Sequence, residues 1–361
     1  MKIAVYAICK NEEKFVRRWM QSMREADEIY VADTGSTDNT VALLQEEGAV
    51  VRTISVVPWR FDTARNLSLE LVPKDTDICV CTDLDEVFEP GWRAALEKAW
   101  QKDTTRARYH YTWSFHANGT PDIRFYQEKI HARSGFRWIH PVHEVLQYTG
   151  TAPDRYVTIE AIQLNHYPDA AKSRGQYLPL LELSVQEAPE DDRNRHYLGR
   201  EYLFYGRGDD CIRTLKHHLS MPSATWLDER AASMRYIARA YKAKGDLVQA
   251  KSWLYRAIAE APYLREGYGE AAFLAYETGD WLGAYDMVMQ ALSVAETQDT
   301  YISEGFCRDG TLYDIGAVAA YHLTLYREAL ALCQKALAFH PNEERLQANL
   351  HLIQAQLAPS A

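Results

Sequence analysis

An apolar run that ends abruptly at two carboxylates constrains this chain more than any other feature. Ile78-Cys79-Val80-Cys81 is followed by Thr82-Asp83-Leu84-Asp85-Glu86. Unbroken apolar residues that include β-branched side chains read as a strand buried on both faces, as in a parallel sheet, and ligands of such sheets collect outside the carboxyl ends of the strands. Ile78 to Cys81 is therefore expected as sheet, and Asp83 to Glu86 as the rim of a pocket. An Asp-x-Asp pair offers oxygen ligands to a hard divalent cation, Mg2+ or Mn2+, which keeps waters and substrate phosphates in its other positions. A solvated acidic turn reads the same in isolation, so the preceding segments decide.

Those segments alternate. Ile3 to Cys9 reads as a strand, Glu12 to Met23 as an amphipathic helix with Phe15, Trp19 and Met23 on one face, and Glu28 to Ala32 as the next strand. The turn-rich run Asp33-Thr34-Gly35-Ser36-Thr37-Asp38-Asn39-Thr40 then leads into a helix over Val41 to Glu47, and Val50 to Val56 forms a third strand. A β-α-β-α-β order implies a parallel sheet with right-handed crossovers. Asp33, at the carboxyl end of the second strand, is placed to accept hydrogen bonds from a base or ribose, whereas Asp38 is expected to cap.

The 361 residues, 47% hydrophobic and 25% charged, describe a globular chain of a little over two domains by the usual domain size. A formal net charge of -10 argues against nucleic acid or an anionic membrane surface as partner, since both need a basic patch. The apolar run after Met1-Lys2 is too short and too soon followed by Lys10-Asn11-Glu12-Glu13 for a signal peptide, and no stretch is long enough for a membrane span. Six cysteines lack CxxC spacing, with Cys9, Cys79 and Cys81 in expected strands, and read as reduced core residues of a cytoplasmic protein.

Ala7-Ile8-Cys9-Lys10-Asn11-Glu12, Asp33-Thr34-Gly35-Ser36-Thr37-Asp38, Phe61-Asp62-Thr63-Ala64-Arg65-Asn66 and Thr82-Asp83-Leu84-Asp85-Glu86 stand in order and in register. In that arrangement the chain resembles family 2 glycosyltransferases of the GT-A fold over about residues 1 to 170. The resemblance implies a nucleotide-sugar donor, usually a UDP-sugar, with Mn2+ or Mg2+ on its diphosphate. By the same resemblance Ile8, Asn11 and Glu12 border the nucleotide, Asp33 contacts the uridine, Arg65 lies near the donor, Asp83 contacts ribose or metal, and Asp85 ligates the metal. The chemistry agrees, because a diphosphate leaving group accumulates negative charge that a cation at Asp85 stabilises. Arg65 can pair with phosphate oxygens or, as a structural arginine, with Asp62 or Asp83.

After a helix expected over Ala94 to Lys102, Ala107 to Phe115 alternates aromatic residues as an antiparallel strand does. In this fold such strands wall the acceptor and sugar subsites; Trp113 can stack on a sugar ring or belong to the core. Phe136-Arg137-Trp138-Ile139-His140-Pro141-Val142-His143-Glu144 and Leu164-Asn165-His166-Tyr167 form a second cluster. A comparable pair of segments accompanies the domain in glycosyltransferases carrying helical repeats. By that resemblance His166 completes the metal site, and Glu144, or else Glu86, is the base that inversion at the anomeric carbon requires. A zinc-hydrolase reading of His140, His143 and Glu144 matches neither HExxH nor HxxEH, and Pro141 interrupts a helix.

From about Asp191 the period becomes helical. Ala238, Tyr241, Gly245, Ala250, Ala257 and Pro262 occupy tetratricopeptide-repeat positions, and Ala272, Gly279, Ala284 and Ala291 repeat the register at the period of about 34 residues. Weaker copies lie at Gly199, Tyr202 and Gly206 and at Ala317, Ala329, Ala336 and Pro341. Thr297 to Asp309 reads as an insertion, Asn342 as an N-cap, and Glu343 to Leu357 as a sealing helix. The expected architecture is thus an α/β GT-A nucleotide-sugar-binding domain over 1–170, a linker helix over 171–190 and an all-α tetratricopeptide-repeat array over 191–357.

Such repeats bind a peptide, a protein or a second copy of the chain as a homodimer, or only buttress the catalytic domain. The pairing resembles the peptide S-glycosyltransferases that modify bacteriocin cysteines, which points to a polypeptide acceptor alongside protein or glycan. The leading function is a metal-dependent, inverting transfer from a UDP-sugar. The alternatives are a noncatalytic repeat scaffold with a degenerate sugar-nucleotide domain, and a nucleotidyltransferase. Retention of the Asp83/Asp85 pair favours catalysis, since clustered like charges are costly to keep without use.

Overall fold

The computed structural model describes residues 1–116, 119–169, 175–295 and 298–358. The chain divides into two compact units, Met1–Glu187 and Ala188–Ala361. Among the described residues no helix is long and apolar enough to cross a membrane.

The first unit begins as its periodicity predicts. Strand β1 (Ile3–Cys9), helix α1 (Glu13–Met23), β2 (Glu28–Asp33), α2 (Thr40–Glu46), β3 (Val50–Thr53), α3 (Phe61–Leu71) and β4 (Ile78–Cys81) alternate. There follow β5 (Glu86–Phe88), α4 (Trp92–Ala99), β6 (Arg106–Thr112), β7 (Arg124–Ala132), β8 (Phe136–Ile139), β9 (Val145–Tyr148), β10 (Tyr156–His166) and α5 (Tyr177–Glu187). The main sheet has the order β3-β2-β1-β4-β7-β6-β10-β5, and β8 and β9 form a separate antiparallel pair. The expected parallel arrangement holds for β3, β2, β1 and β4. Beyond β4 the sheet is mixed, because β7 runs antiparallel to both β4 and β6. The chain passes from β6 to β7 without the helical crossover that a parallel neighbour requires.

Burial explains the elements. β1 and β4 are apolar because both faces are covered, and α1 buries Phe15, Val16, Trp19, Met20 and Met23. α3 turns Ala64, Arg65, Ser68 and Leu69 inward, and Ser68 Oγ donates to the Ala7 carbonyl at 2.7 Å, fixing the helix on β1. α4 starts at Trp92 rather than Ala94, since Glu25 accepts the N–H groups of Gly91 and Arg93 at 2.6 and 3.0 Å. The aromatic strand stops at Thr112, so Trp113 lies beyond it and is half exposed rather than core. Within the linker helix expected over 171–190, residues 171–174 lie outside the described residues, and the helix seen, α5, belongs to the first unit.

The second unit is built of helix pairs: α6 (Asp192–Phe204) with α7 (Gly208–Ser220), α8 (Leu227–Ala243) with α9 (Leu247–Glu260), α10 (Arg265–Glu277) with α11 (Trp281–Ser293), and α12 (Thr311–His322) with α13 (Tyr326–Phe339). Gly206, Gly245 and Gly279 turn three of the pairs with positive φ, a conformation glycine adopts without steric penalty. Asp246 and Asp280 cap α9 and α11 by accepting N–H groups three residues on. Ala238, Ala250, Ala257, Ala272, Ala284, Ala291, Ala329 and Ala336 are all buried where helices meet. The closing helix α14 (Glu344–Leu357) buries Leu346 and Ile353; its N-cap is Glu343, not Asn342, and no side chain caps it.

Thr297 lies outside the described residues, but the rest of the expected insertion is an ordered strap across the first helices of the pairs. Arg235 donates to Glu304 at 3.1 Å and to the Ile302 carbonyl at 3.1 Å, Arg239 donates to Glu304 at 2.6 Å, and Tyr301 stacks on Tyr197. Phe306 meets Phe273 edge-on and sits where a side chain on Gly269 would be, 2.6 Å from the position of its Cβ.

At Gly199 an added Cβ would lie 2.3 Å from Leu215 Cδ2, and Leu215 is fully buried. Gly199→Ala is therefore expected to destabilise the second unit by about 1–3 kcal/mol, the usual penalty of overpacking, read as a lower urea midpoint for that unit.

Candidate active site

The parallel strands β2, β1 and β4 deliver their carboxyl ends to one edge, and the strand order reverses beside β1, where open α/β sheets form their crevice. After β1, Asn11 adopts φ 55° and its Oδ1 accepts the Thr37 N–H at 2.7 Å, while its own N–H donates to Ser36 Oγ at 2.9 Å. Asn11 thus staples the 33–38 loop. Ile8 is partly exposed on the same edge, and buried Glu12 donates its N–H to Thr40 Oγ1 at 2.7 Å. Asp33 is buried and its carboxylate accepts the N–H groups of Gly35 and Ser36, both at 3.1 Å, so it shapes the loop from within. Asp38 caps as expected, accepting the Thr40 N–H at 3.0 Å and that of Glu13 at 3.3 Å.

Arg65 is the centre of the site. Its side chain is 7% exposed, it donates to Asp83 Oδ1 at 2.9 Å and to Glu144 Oε1, and it approaches Cys81 Sγ at 3.4 Å. Of the two structural partners the sequence allows, the guanidinium takes Asp83, whereas Asp62 pairs with Arg60. The Trp138 ring lies 5.2 Å from the guanidinium carbon. Asn66 holds β8 in place for that contact, donating to the Trp138 carbonyl at 2.8 Å and accepting its N–H at 2.9 Å. Below, Trp138 Nε1 donates to Tyr6 Oη at 2.9 Å, and Tyr6 pairs with buried His131 at 2.8 Å. His140 and His143 flank the turn to Glu144 with φ of 75° and 50°, uncommon for residues other than glycine. Among the described residues, His140, His143 and Glu144 do not bring three ligand atoms together.

A second, largely shielded cation sits beside the first. Lys129, from β7, donates to Glu86 Oε1 at 3.2 Å and to Asp83 Oδ2 at 3.4 Å. Nothing in the sequence of β7 marks Lys129 as a site residue, and Tyr6 reads as strand core, so neither is legible before the fold brings them here. Burial lowers the Lys129 and Arg65 pKa values, but Glu86, Asp83 and Glu144 outweigh it and push both up. Glu86 is 1% exposed and accepts the Asp83 N–H at 2.9 Å; burial pushes its carboxyl up, against Lys129.

His166 reaches the site through strand pairing. It ends β10, opposite Glu86 of β5, and Tyr167 N–H donates to the Asp85 carbonyl at 2.8 Å. His166 Nε2 therefore lies 3.6 Å from Asp85 Oδ2, with Nδ1 3.3 Å from the Trp113 carbonyl. The Trp113 ring stacks on His166 at 4.7 Å. Burial lowers the His166 pKa, and Asp85 more than reverses this, so the imidazole pKa is raised.

Asp83 carries a pH dependence. Burial pushes its carboxyl up, but Arg65 and Lys129 hold it well below the usual 3.8. The ionised form is thus favoured by folding, so its stabilisation is complete above 3.8 and is lost as pH falls below it. Because a third of the side chain meets solvent, salt screens part of the effect. Asp83→Asn is expected to flatten the acid limb of stability against pH, measured as the urea midpoint of the first unit from neutral pH downward.

Comparison with known proteins bears on this unit first. Residues 4–145 match the model of glycosyl transferase family 2, less than half of the chain. The chain is 30% identical over 100 residues to the lipopolysaccharide core biosynthesis glycosyltransferase LpsC of Rhizobium meliloti (strain 1021), covering 27% of this chain and 36% of that protein. Among solved structures it is similar to a thermophilic TPR protein of Thermus thermophilus, with 22% identity, TM-score 0.35, and coverage of 50% of this chain and 92% of that one. It is also similar to the C-terminal part of a TPR repeat-containing protein of Cytophaga hutchinsonii, with 15% identity, TM-score 0.42, and coverage of 51% and 67%. The segment that holds Arg65, Asp83, Asp85 and Glu144 thus lies within the residues that match the model of glycosyl transferase family 2.

Proposed function

We propose that the chain is a metal-dependent, inverting glycosyltransferase that moves a sugar from a UDP-sugar to a peptide, protein or glycan acceptor. The observation that carries the reading is the convergence, within the matched domain, of Asp83 and Asp85 with a buried Arg65 at the carboxyl ends of parallel strands. Asp85 and His166 fit a divalent cation, because their facing ligand atoms stand 3.6 Å apart and the Trp113 carbonyl engages the other imidazole nitrogen. When bound, Mn2+ or Mg2+ supplies positive charge against the diphosphate leaving group. Arg65 and Lys129 keep Asp83 ionised, and Asp33 and Asn11 preform the loop that borders the nucleotide.

Glu144 is assigned as the base that takes the acceptor proton, with Glu86 second. Its side chain is 10% exposed against 1% for Glu86, which supports that order. Half-exposed Trp113, stacked on His166, offers an aromatic face to a sugar ring. The six cysteines are free and buried, which supports a reducing, cytoplasmic setting.

Donor binding and hydrolysis across UDP-, GDP- and CDP-sugars, with and without Mn2+, test the reading. A metal-dependent preference for one UDP-sugar, lost in Asp85→Ala, is expected; absence of binding to every donor moves the function to a repeat scaffold. Glu144→Gln retains an acceptor for Arg65 but no base, and is expected to lower kcat for transfer by roughly 10²–10⁴-fold with donor KM little changed. Transfer at the wild-type rate would give the role to another carboxylate.

A further inference from the structure

Three buried side chains of the second unit take no part in the chemistry above. His196 on α6, His218 on α7 and Glu229 on α8 are at most 3% exposed, and one potential ligand atom from each lies within 4.8 Å of the other two. Ser233 Oγ, also buried, bonds to Nδ1 of His196 at 2.8 Å and to Nδ1 of His218 at 3.0 Å, which leaves the Nε2 atom of each ring. His218 Nε2 faces Glu229 Oε1 at 3.2 Å. His196 Nε2 is buried and, among the described residues, has no hydrogen-bond partner. A buried polar atom without a partner is costly, and it asks for an occupant.

We propose that His196, His218 and Glu229 form a site for a borderline divalent cation of the zinc class. Two imidazoles and one carboxylate are a ligand set that Zn2+ accepts, with a fourth position left for water. The 3.2 Å between His218 Nε2 and Glu229 Oε1 is close to the ~3.3 Å edge of a tetrahedron with bonds of ~2.0 Å. The supporting contacts are those of a ligand sphere: one Ser233 hydroxyl orients both rings through Nδ1, and the Tyr301 hydroxyl donates to Glu229 Oε2. Burial favours the neutral His196 imidazole that a metal needs, pushing its pKa down to about 3. Arg200 and Arg235 also act on His196, so Glu229 is the main counter-charge and affinity is expected below that of thiolate sites. Because the ligands come from three successive helices, and Tyr301 from the strap, a bound ion would tie the start of the array to its insertion.

The inference does not rest on glycosyl transfer. It is tested in the full chain carrying Asp85→Ala and His166→Ala, which removes the other proposed metal ligands. After chelation and dialysis, that protein is titrated with Zn2+ against a chromophoric chelator, and with Co2+ by visible absorption. One equivalent of Zn2+, a Co2+ band of four- or five-coordinate type and a rise in Tm are expected. Adding His196→Asn or Glu229→Gln should weaken binding at least ~100-fold, and Ser233→Ala by ~10–100-fold while leaving the ligands in place. Failure of the folded parent to bind Zn2+ stoichiometrically overturns the proposal, as does unchanged affinity in Ser233→Ala together with a folded His196→Asn. If His196→Asn does not fold, the parent titration and Ser233→Ala decide.

Discussion

A guanidinium with only 7% of its side chain exposed has to be paired, and Arg65 is paired twice. Leaving a buried charge without its partner costs about 3–5 kcal/mol, so the pairing drives three distant pieces of chain together. α3 supplies the arginine, the loop after β4 supplies Asp83, and the turn after β8 supplies Glu144. Asn66 and Ser68 on the same helix anchor β8 and β1, so the helix that brings the cation also holds the walls of its pocket. Lys129 adds a second, partly exposed cation from the antiparallel half of the sheet. Two cations against Asp83, Asp85, Glu86 and Glu144 leave the rim with an excess of carboxylates. Such a rim suits a divalent cation better than a bare diphosphate, in keeping with the proposed joint binding of metal and donor.

The helical unit uses the same physics for another end. Its buried Arg235 is surrounded by Glu270 and Glu304, and Arg239 joins both. Glu304 belongs to the insertion, so this network holds the strap against the first helices of the pairs. Gly269 makes room for Phe306, and Tyr301 reaches Glu229. A repeat array offers binding surface along those helices, but here part of it is already covered by the chain's own residues. A polypeptide partner at that face would meet Tyr301 to Arg308 as well as the helices.

What the sequence by itself determined is whatever local periodicity and turn chemistry encode. The strand at Ile3–Cys9, the strand at Ile78–Cys81 ending before Asp83, the glycine turns at Gly245 and Gly279 and the buried alanines around them all follow from spacing. Asp38 as a cap was legible for the same reason. The roles that only the tertiary structure decided belong to side chains whose partners are far away in the chain. Arg65 could pair with Asp62 or Asp83 until the packing of α3 on β1 brought it to Asp83. Lys129 lies where the register between β6 and β7 shifts, and the pairing of β7 with β4 brings it to Glu86 and Asp83. His166 reaches Asp85 because β10 pairs with β5, and His196, His218 and Glu229 converge only once three helices stack. Periodicity specifies which face of an element is buried, whereas long-range pairing and charge compensation decide which polar groups meet on that face.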